Sequence, residues 1–311
     1  MSTQSDPRRA WDPVTPLVSL IIPTYRRTEV LRRCLCAATA QDYAPYEVIV
    51  VDDASGDGTA EMVCHEFPAV RLLVQPANRG PATARNRGIA AAQGEIVAFT
   101  DDDCLLPPDF LRRLVEGYCA HPEVVGVGGY LDPPEALLAA NLWAQYEWHV
   151  THRVYGFGAK PYLGGLDCPA GGTNSMSYRR SELVAAGGFD ESFPVPGGED
   201  TELKQRMVAR GGTLLYVPVR VEHMRPYTLA AFWRQYRAHG QGVVHFERKT
   251  LGRPPTPLRV ALRTGKRLLR WGLGVPTLGP RLATARLIAE LADVAGQCME
   301  LRKLRTRRMG G

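Results

Sequence analysis

The 311-residue chain is predicted to be α/β: a doubly wound, mostly parallel sheet with flanking helices, followed by a C-terminal amphipathic helical tail. Three observations predict it. Short apolar runs rich in β-formers alternate with segments of helical spacing through the N-terminal third. Two of those runs end in clustered aspartates, as strands of an open sheet do where they deliver side chains to one edge. Beyond residue 253 the sequence turns basic and leucine-rich with helical spacing.

The elements follow in order. Leu17–Ile22 is a buried strand that stops at Pro23, and 29–40 has helical spacing. Glu47–Val51 is the second strand. It is closed by Asp52-Asp53-Ala54-Ser55-Gly56-Asp57-Gly58, which is turn chemistry leading into a helix N-cap. A helix over 59–67, a strand over 70–74 and a helix over 81–93 come next. The strand Ile96–Phe99 then runs into Asp101-Asp102-Asp103. Residues 124–188 are glycine-rich and irregular, read as loops over the sheet edge with one helix over 135–149, whose Trp143, Tyr146 and Trp148 serve packing. Gly197-Gly198-Glu199-Asp200 opens a helix to Arg210, and a strand over 213–217 leads towards His223. The organisation expected is a disordered segment over 1–16, one domain over 17–252 with halves meeting at 108/109, and the tail over 253–311.

Hydrophobic content of 45% and charged content of 23% are ordinary for a globular protein. The seven cysteines are odd in number and scattered, which reads as reduced thiols and not a disulfide framework. The first 16 residues are polar with no signal-like apolar core, and no run approaches the roughly 18 apolar residues that span a bilayer. A cytoplasmic protein is expected. The net charge of +6 is unevenly spread: residues 253–311 hold thirteen Lys and Arg against three acids, leaving the rest mildly acidic. Such a tail suits an anionic surface, either lipid headgroups or nucleic acid.

Carboxylates as close as Asp101, Asp102 and Asp103 repel one another unless a cation or strong donors offset them. Hard oxygen ligands of this kind suit Mg²⁺ or Mn²⁺, ions that commonly accompany a diphosphate. The cluster therefore points to metal-assisted chemistry on a nucleotide. A solvated acidic turn is the competing reading for the three aspartates alone. The second acidic strand end, at Asp52-Asp53, argues against it, because turns have no need to converge on one edge.

Several segments together resemble family 2 glycosyltransferases. They are Val18-Ser19-Leu20-Ile21-Ile22-Pro23-Thr24-Tyr25, Val50-Val51-Asp52-Asp53-Ala54-Ser55, Asn78-Arg79-Gly80 with Ala84-Arg85-Asn86, and Phe99-Thr100-Asp101-Asp102-Asp103. Gly171-Gly172-Thr173-Asn174, Gly187-Gly188-Phe189-Asp190 and Gly198-Glu199-Asp200 continue the family's order, so the likeness runs from about Leu17 to Tyr236. The resemblance implies a GT-A fold and inverting transfer from a nucleotide-activated sugar, with a nucleotide-sugar half over 17–108 and an acceptor half over 109–252. By the same resemblance Pro23, Thr24 and Tyr25 line the base pocket and Asp53 accepts from the base. Asp101 contacts the ribose or a metal-bound water, and Arg85 and Arg79 are candidates to serve the diphosphate or to pair with the aspartates. Asp103 ligates Mn²⁺ or Mg²⁺, with Asp102 left open as its alternative. His223 is a third ligand or a structural histidine. Asp200 is the general base, with Glu199 as runner-up or acceptor contact, and Gly172 and Asn174 belong to the acceptor side. Both acids would also suit the first turn of a helix for dipole reasons alone.

In the tail, Arg259, Arg263, Lys266, Arg267 and Arg270 fall at helical spacing beside leucines and Trp271, which reads as an interfacial helix on anionic lipid. A second amphipathic segment over 282–304 puts Leu287, Ile288, Leu291, Val294 and Leu301 on one side. The partners expected are a nucleotide-diphosphate sugar and a saccharide or lipid-linked saccharide, with peripheral attachment through 253–311 and no nucleic acid. The alternatives are a polyprenyl-phosphate sugar synthase or, from another class, a nucleic-acid or membrane binding protein. The last would leave the acidic strand ends without purpose.

Overall fold

The computed structural model describes residues 15–158, 160–193 and 197–309, with side chains throughout except at 270–277 and 307–309. The segment over 1–14 and the side chains of Arg270, Trp271, Arg307 and Arg308, all used above, lie outside the described residues.

The N-terminal half is built by β1 (Val18–Thr24), α1 (Thr28–Ala38), β2 (Tyr46–Asp52), α2 (Thr59–Glu66), β3 (Arg71–Val74), α3 (Pro81–Ala91) and β4 (Ile96–Phe99). Its strands lie in the parallel order β3-β2-β1-β4. All seven residues of β1 and all four of β4 are buried, as expected for strands covered on both faces. Side-chain alternation splits β1 between two cores. Val18, Leu20 and Ile22 meet α1 through Leu31 and Leu35, whereas Ile21 meets α3 through Ala84 and Ile89.

The second half adds β5 (Cys104–Leu105), α4 (Phe110–Ala120), β6 (Val124–Asp132), α5 (Glu135–Leu138), α6 (Leu142–His149), β7 (Tyr162–Gly164), β8 (Met176–Arg179), α7 (Arg180–Ala185), α8 (Glu199–Ala209) and β9 (Thr213–His223). One sheet holds all nine strands, along β3-β2-β1-β4-β8-β6-β9-β5 with β7 on β9. β8 runs antiparallel to β4 and β6, and β9 runs antiparallel to β5. The fold is GT-A.

Three expectations are corrected here. The stretch over 124–188 is not mainly loop, because β6 and β8 lie in the middle of the sheet. The single helix over 135–149 is broken, because Asn141 caps a new helix by accepting the N–H groups of Trp143 and Ala144. The strand over 213–217 continues to His223, because a register shift against β6 between Tyr216 and Arg220 absorbs Pro218.

The chain ends in α9 (Leu229–Thr250) and α10 (Pro257–Met309), and α10 breaks at Gly279, where φ is 74°. Its two halves lie side by side, since Arg267 reaches Glu290 at 3.1 Å and also Asp293. The later half packs on α9. A Cβ on Gly240 would overlap the Asp293 carbonyl oxygen, and one on Gly296 would overlap that of Arg237, so the two backbones touch. Glu300 accepts from Gln241 at 3.1 Å and pairs with His245 at 2.9 Å. The expected leucine face over 282–304 is therefore corrected. Ala285, Ala289 and Gly296 form the contact with α9, joined by Ile288 of the expected face, whereas Leu291 is exposed.

Candidate active site

The strand ends of β1, β2 and β4 open onto a cavity of about 770 Å³ lined by Pro23, Thr24, Tyr25, Asp53, Asp101 and His223 among others. This is the sheet edge at which open α/β folds bind ligands.

Asp53 follows β2 and is buried, accepting from Gln75 Nε2 at 2.6 Å and from the backbone N–H groups of Arg79 (2.8 Å) and Gly80 (2.7 Å). It thereby ties the Asn78-Arg79-Gly80 loop to the strand end. Gln75 was not foreseen, since a glutamine just past a strand carries no local signal. Tyr25 is partly exposed, with the Arg26 guanidinium 5.1 Å from its ring centre.

The three aspartates after β4 take three directions. Asp101 accepts from Arg85 Nη2 at 2.8 Å. Asp102 turns inward, accepting from Thr24 Oγ1 at 2.8 Å and Arg27 Nη1 at 2.9 Å. Asp103 accepts from the same Arg27 Nη1 at 2.8 Å and lies 3.5 Å from His223 Nε2. Asp103, and not Asp102, thus faces the histidine. Burial pushes the Asp102 carboxyl up to about 6 despite Arg27. Burial also acts on Asp103, but contacts with His223 and Arg27 outweigh it and hold that carboxyl at about 2. Arg27, 50% exposed at the side chain, is the second residue the sequence did not reveal. It sits in a turn where paired arginines look merely solvated.

His223 arrives through β9. Cys104 pairs with His223 across the β5–β9 ladder, and Met224 N–H donates to Asp103 O at 2.7 Å. The backbone thus fixes the histidine against the aspartate.

Arg85, only 4% exposed, is committed to two carboxylates: Asp101, and Glu199 Oε1 at 3.0 Å. Its Nε is buried without a hydrogen-bond partner. Glu199 and Asp200 stand in the first turn of α8, which Gly198 opens with φ of 98°, a conformation that side chains resist. Glu199 also accepts from Gly197 N–H at 2.7 Å. Asp200 is half-buried and accepts from Thr201 N–H at 2.7 Å. Desolvation, and next the charge of Glu199, raise its carboxyl to about 6. Gly172 and Asn174 lie in the loop before β8, where Asn174 O accepts from Thr100 Oγ1 at 3.1 Å, next to Asp101. Gly172, Asn174, Glu199 and Asp200 do not line the cavity; Glu199 is linked to it through Arg85.

Among the described residues, Asp101, Asp102, Asp103 and Glu199 divide two guanidinium groups, those of Arg27 and Arg85, and Asp200 adds a fifth carboxylate paired with neither. The surplus of negative charge and the Asp103–His223 approach fit a hard divalent cation. Among the described residues no three His, Cys, Asp or Glu side chains already form a metal cage. One or two protein ligands completed by phosphate oxygens would suffice for Mg²⁺ or Mn²⁺.

Residues 19–175 match the sequence profile for Glycosyl transferase family 2. The chain belongs to that family. It is 41% identical over 102 residues to the succinoglycan biosynthesis protein ExoO of Rhizobium meliloti, a match covering 32% of this chain and 29% of that protein. To a validoxylamine A glucosyltransferase of Streptomyces hygroscopicus subsp. limoneus it is 30% identical over 223 residues, 63% of this chain and 49% of the relative. The matches thus span about a third to a half of these curated relatives. In fold it resembles the mannosyltransferase PcManGT from Pyrobaculum calidifontis, solved with GDP-Man and Mn²⁺, with a TM-score of 0.63, 23% identity, and coverage of 93% of this chain and 88% of that one.

Proposed function

We propose that this family 2 protein transfers a sugar, with inversion, from a nucleotide-diphosphate sugar to a hydroxyl of a saccharide or lipid-linked saccharide. The observation that carries the proposal is the Arg85 bridge, which ties the Asp101 end of the acidic run to Glu199 in the turn that also carries Asp200. Pro23, Thr24 and Tyr25 border the base, and Asp53, which also anchors the loop beneath it, accepts from the base. Arg85 lines the cavity and carries positive charge on the diphosphate side of the donor, shared with Asp101 and Glu199. Asp103 and His223 would hold Mn²⁺ or Mg²⁺, which supplies positive charge to the departing diphosphate. Asp101 stands beside them for the ribose.

Asp200 takes the proton from the acceptor hydroxyl. Its carboxyl, raised to about 6, is ionised at neutral pH and still basic enough to act. That need for a base favours a hydroxyl acceptor over a lipid phosphate, which is already anionic. Glu199, fixed by Arg85 and Gly197, borders the acceptor together with Gly172 and Asn174. A saccharide acceptor agrees with the name of the Rhizobium relative, and cytoplasmic residence at the inner face of the cell membrane goes with a lipid-linked one.

The test is a thermal-shift panel of UDP, GDP and dTDP with and without Mn²⁺, followed by donor turnover. Stabilisation by one nucleotide that depends on metal supports the proposal, because a ligand selective for the native state raises its melting temperature. Absence of any shift overturns it.

A further inference from the structure

The first half of α10 is amphipathic the wrong way round for a helix that merely packs on its own domain. Leu258, Leu262 and Leu269 are 69%, 59% and 65% exposed. Spacings of four and seven residues put them in one stripe, within about 60° of arc on a helix turning 100° per residue. The arginines face inward instead. Arg263 pairs with Glu247, and Arg267 pairs with Glu290 and Asp293. The expectation of Arg263 and Arg267 as an outer basic face is thereby corrected.

The tail's acids are turned inward too. Its three acids are Glu290, Asp293 and Glu300. The first two hold Arg267, and Glu300 is 3% exposed against Gln241, His245 and Lys303. Outward charge beside the leucines is positive, from the exposed Lys266 and from Arg259, which stays 47% exposed while its Nε lies 3.8 Å from Glu247.

We infer that this stripe is a docking surface for an anionic lipid bilayer. Leu258, Leu262 and Leu269 enter the headgroup boundary, and Arg259 and Lys266 meet lipid phosphates at its rim. Apolar side chains flanked by bases, with no outward acid, match the chemistry of such a surface. A second copy of the chain matches less well, since it would bring the same positive rim against itself. The inference deepens the lipid-linked reading of the acceptor, yet it does not depend on catalysis.

The experiment is flotation of the full-length chain with vesicles of phosphatidylcholine alone or with about 30% phosphatidylglycerol. The chain is expected to float with the anionic vesicles, less so at high salt, and hardly at all with the neutral ones. The variant L258Q/L262Q/L269Q, altered only at exposed positions, is expected to lose at least about tenfold in partitioning. Should it fail to unfold cooperatively, R259E/K266E provides the second test, with loss confined to the anionic vesicles. Asp200→Asn should float like the unaltered chain.

No flotation with anionic vesicles overturns the inference, as does equal flotation of the altered and unaltered chains. So does a dimer that the leucine substitutions dissolve without any vesicle binding. Vesicle binding without a nucleotide-dependent thermal shift would sink the transferase proposal and leave this surface standing; the reverse pattern would do the opposite.

Discussion

Arg85 and Glu199 form a buried ion pair at 3.0 Å that ties α3 to the first turn of α8, 114 residues away in sequence. The same guanidinium holds Asp101. The two acidic segments of the site therefore share one counter-ion, and neither can move without the other feeling it.

Arg85→Ala should cost about 3–5 kcal/mol, because it strands Glu199 in a buried setting with no opposite charge. Urea unfolding of the single and double variants gives the check. Adding Glu199→Ala to Arg85→Ala should restore part of the loss; strictly additive costs would refute the pairing.

Arg27 sits where a cation is wanted, bridging Asp102 and Asp103. Its removal should tighten Mn²⁺ binding in the absence of nucleotide by about tenfold, or roughly 1.4 kcal/mol. Electron paramagnetic resonance of free Mn²⁺ during titration reads this directly. Unchanged or weaker binding by Arg27→Ala would show that the arginine does not compete.

Activity should fall as pH drops through about 6, where Asp200 takes up a proton and can no longer act as a base. Asp200→Asn should lower turnover by roughly 10²- to 10⁴-fold and flatten that limb. Asp102 also lies at about 6, so Asp102→Asn is the control. It should keep the limb, and its loss there would reassign the titration.

A Cβ on Gly242 would overlap the Gly197 carbonyl oxygen in the loop that opens α8. Gly242→Ala should therefore depress turnover more than stability, by shifting Glu199 and Asp200. Gly296→Val, at the α9–α10 contact, should instead cost about 1–3 kcal/mol by overpacking. Parallel rates and melting curves separate the two. Equal behaviour of both variants would mean that the loop is not held by α9.

Much of this was legible in sequence where the signal is local. A buried strand announces itself by its apolar run, and an acid at its end inherits the strand's direction, so Asp53, Asp101 and Asp103 could be assigned to one edge in advance. The place of Asp200 at a helix opening followed from its glycines, whereas its role as a base came from the resemblance and stands as a proposal. What escaped was relational. Arg27 and Gln75 gain their meaning from carboxylates far away in sequence, and Gly240 and Gly296 matter because another helix crosses there. The tail's polarity was misjudged for the same reason. Helical spacing groups Arg263 with Arg267, but only Glu247, Glu290 and Asp293 decide which way that group points.

The pairing of Cys104 with His223 has a consequence for how the molecule is made. During synthesis the aspartates emerge more than a hundred residues before the strand that brings the imidazole. Until β9 adds beside β6, the ribosome-bound chain carries an acidic rim with no partner at Asp103 beyond Arg27. Contacts of such long span form late. The Asp103–His223 corner is thus a checkpoint of completed folding, and under the proposed function a nascent or clipped chain lacking β9 would lack one of the two residues that would hold the metal.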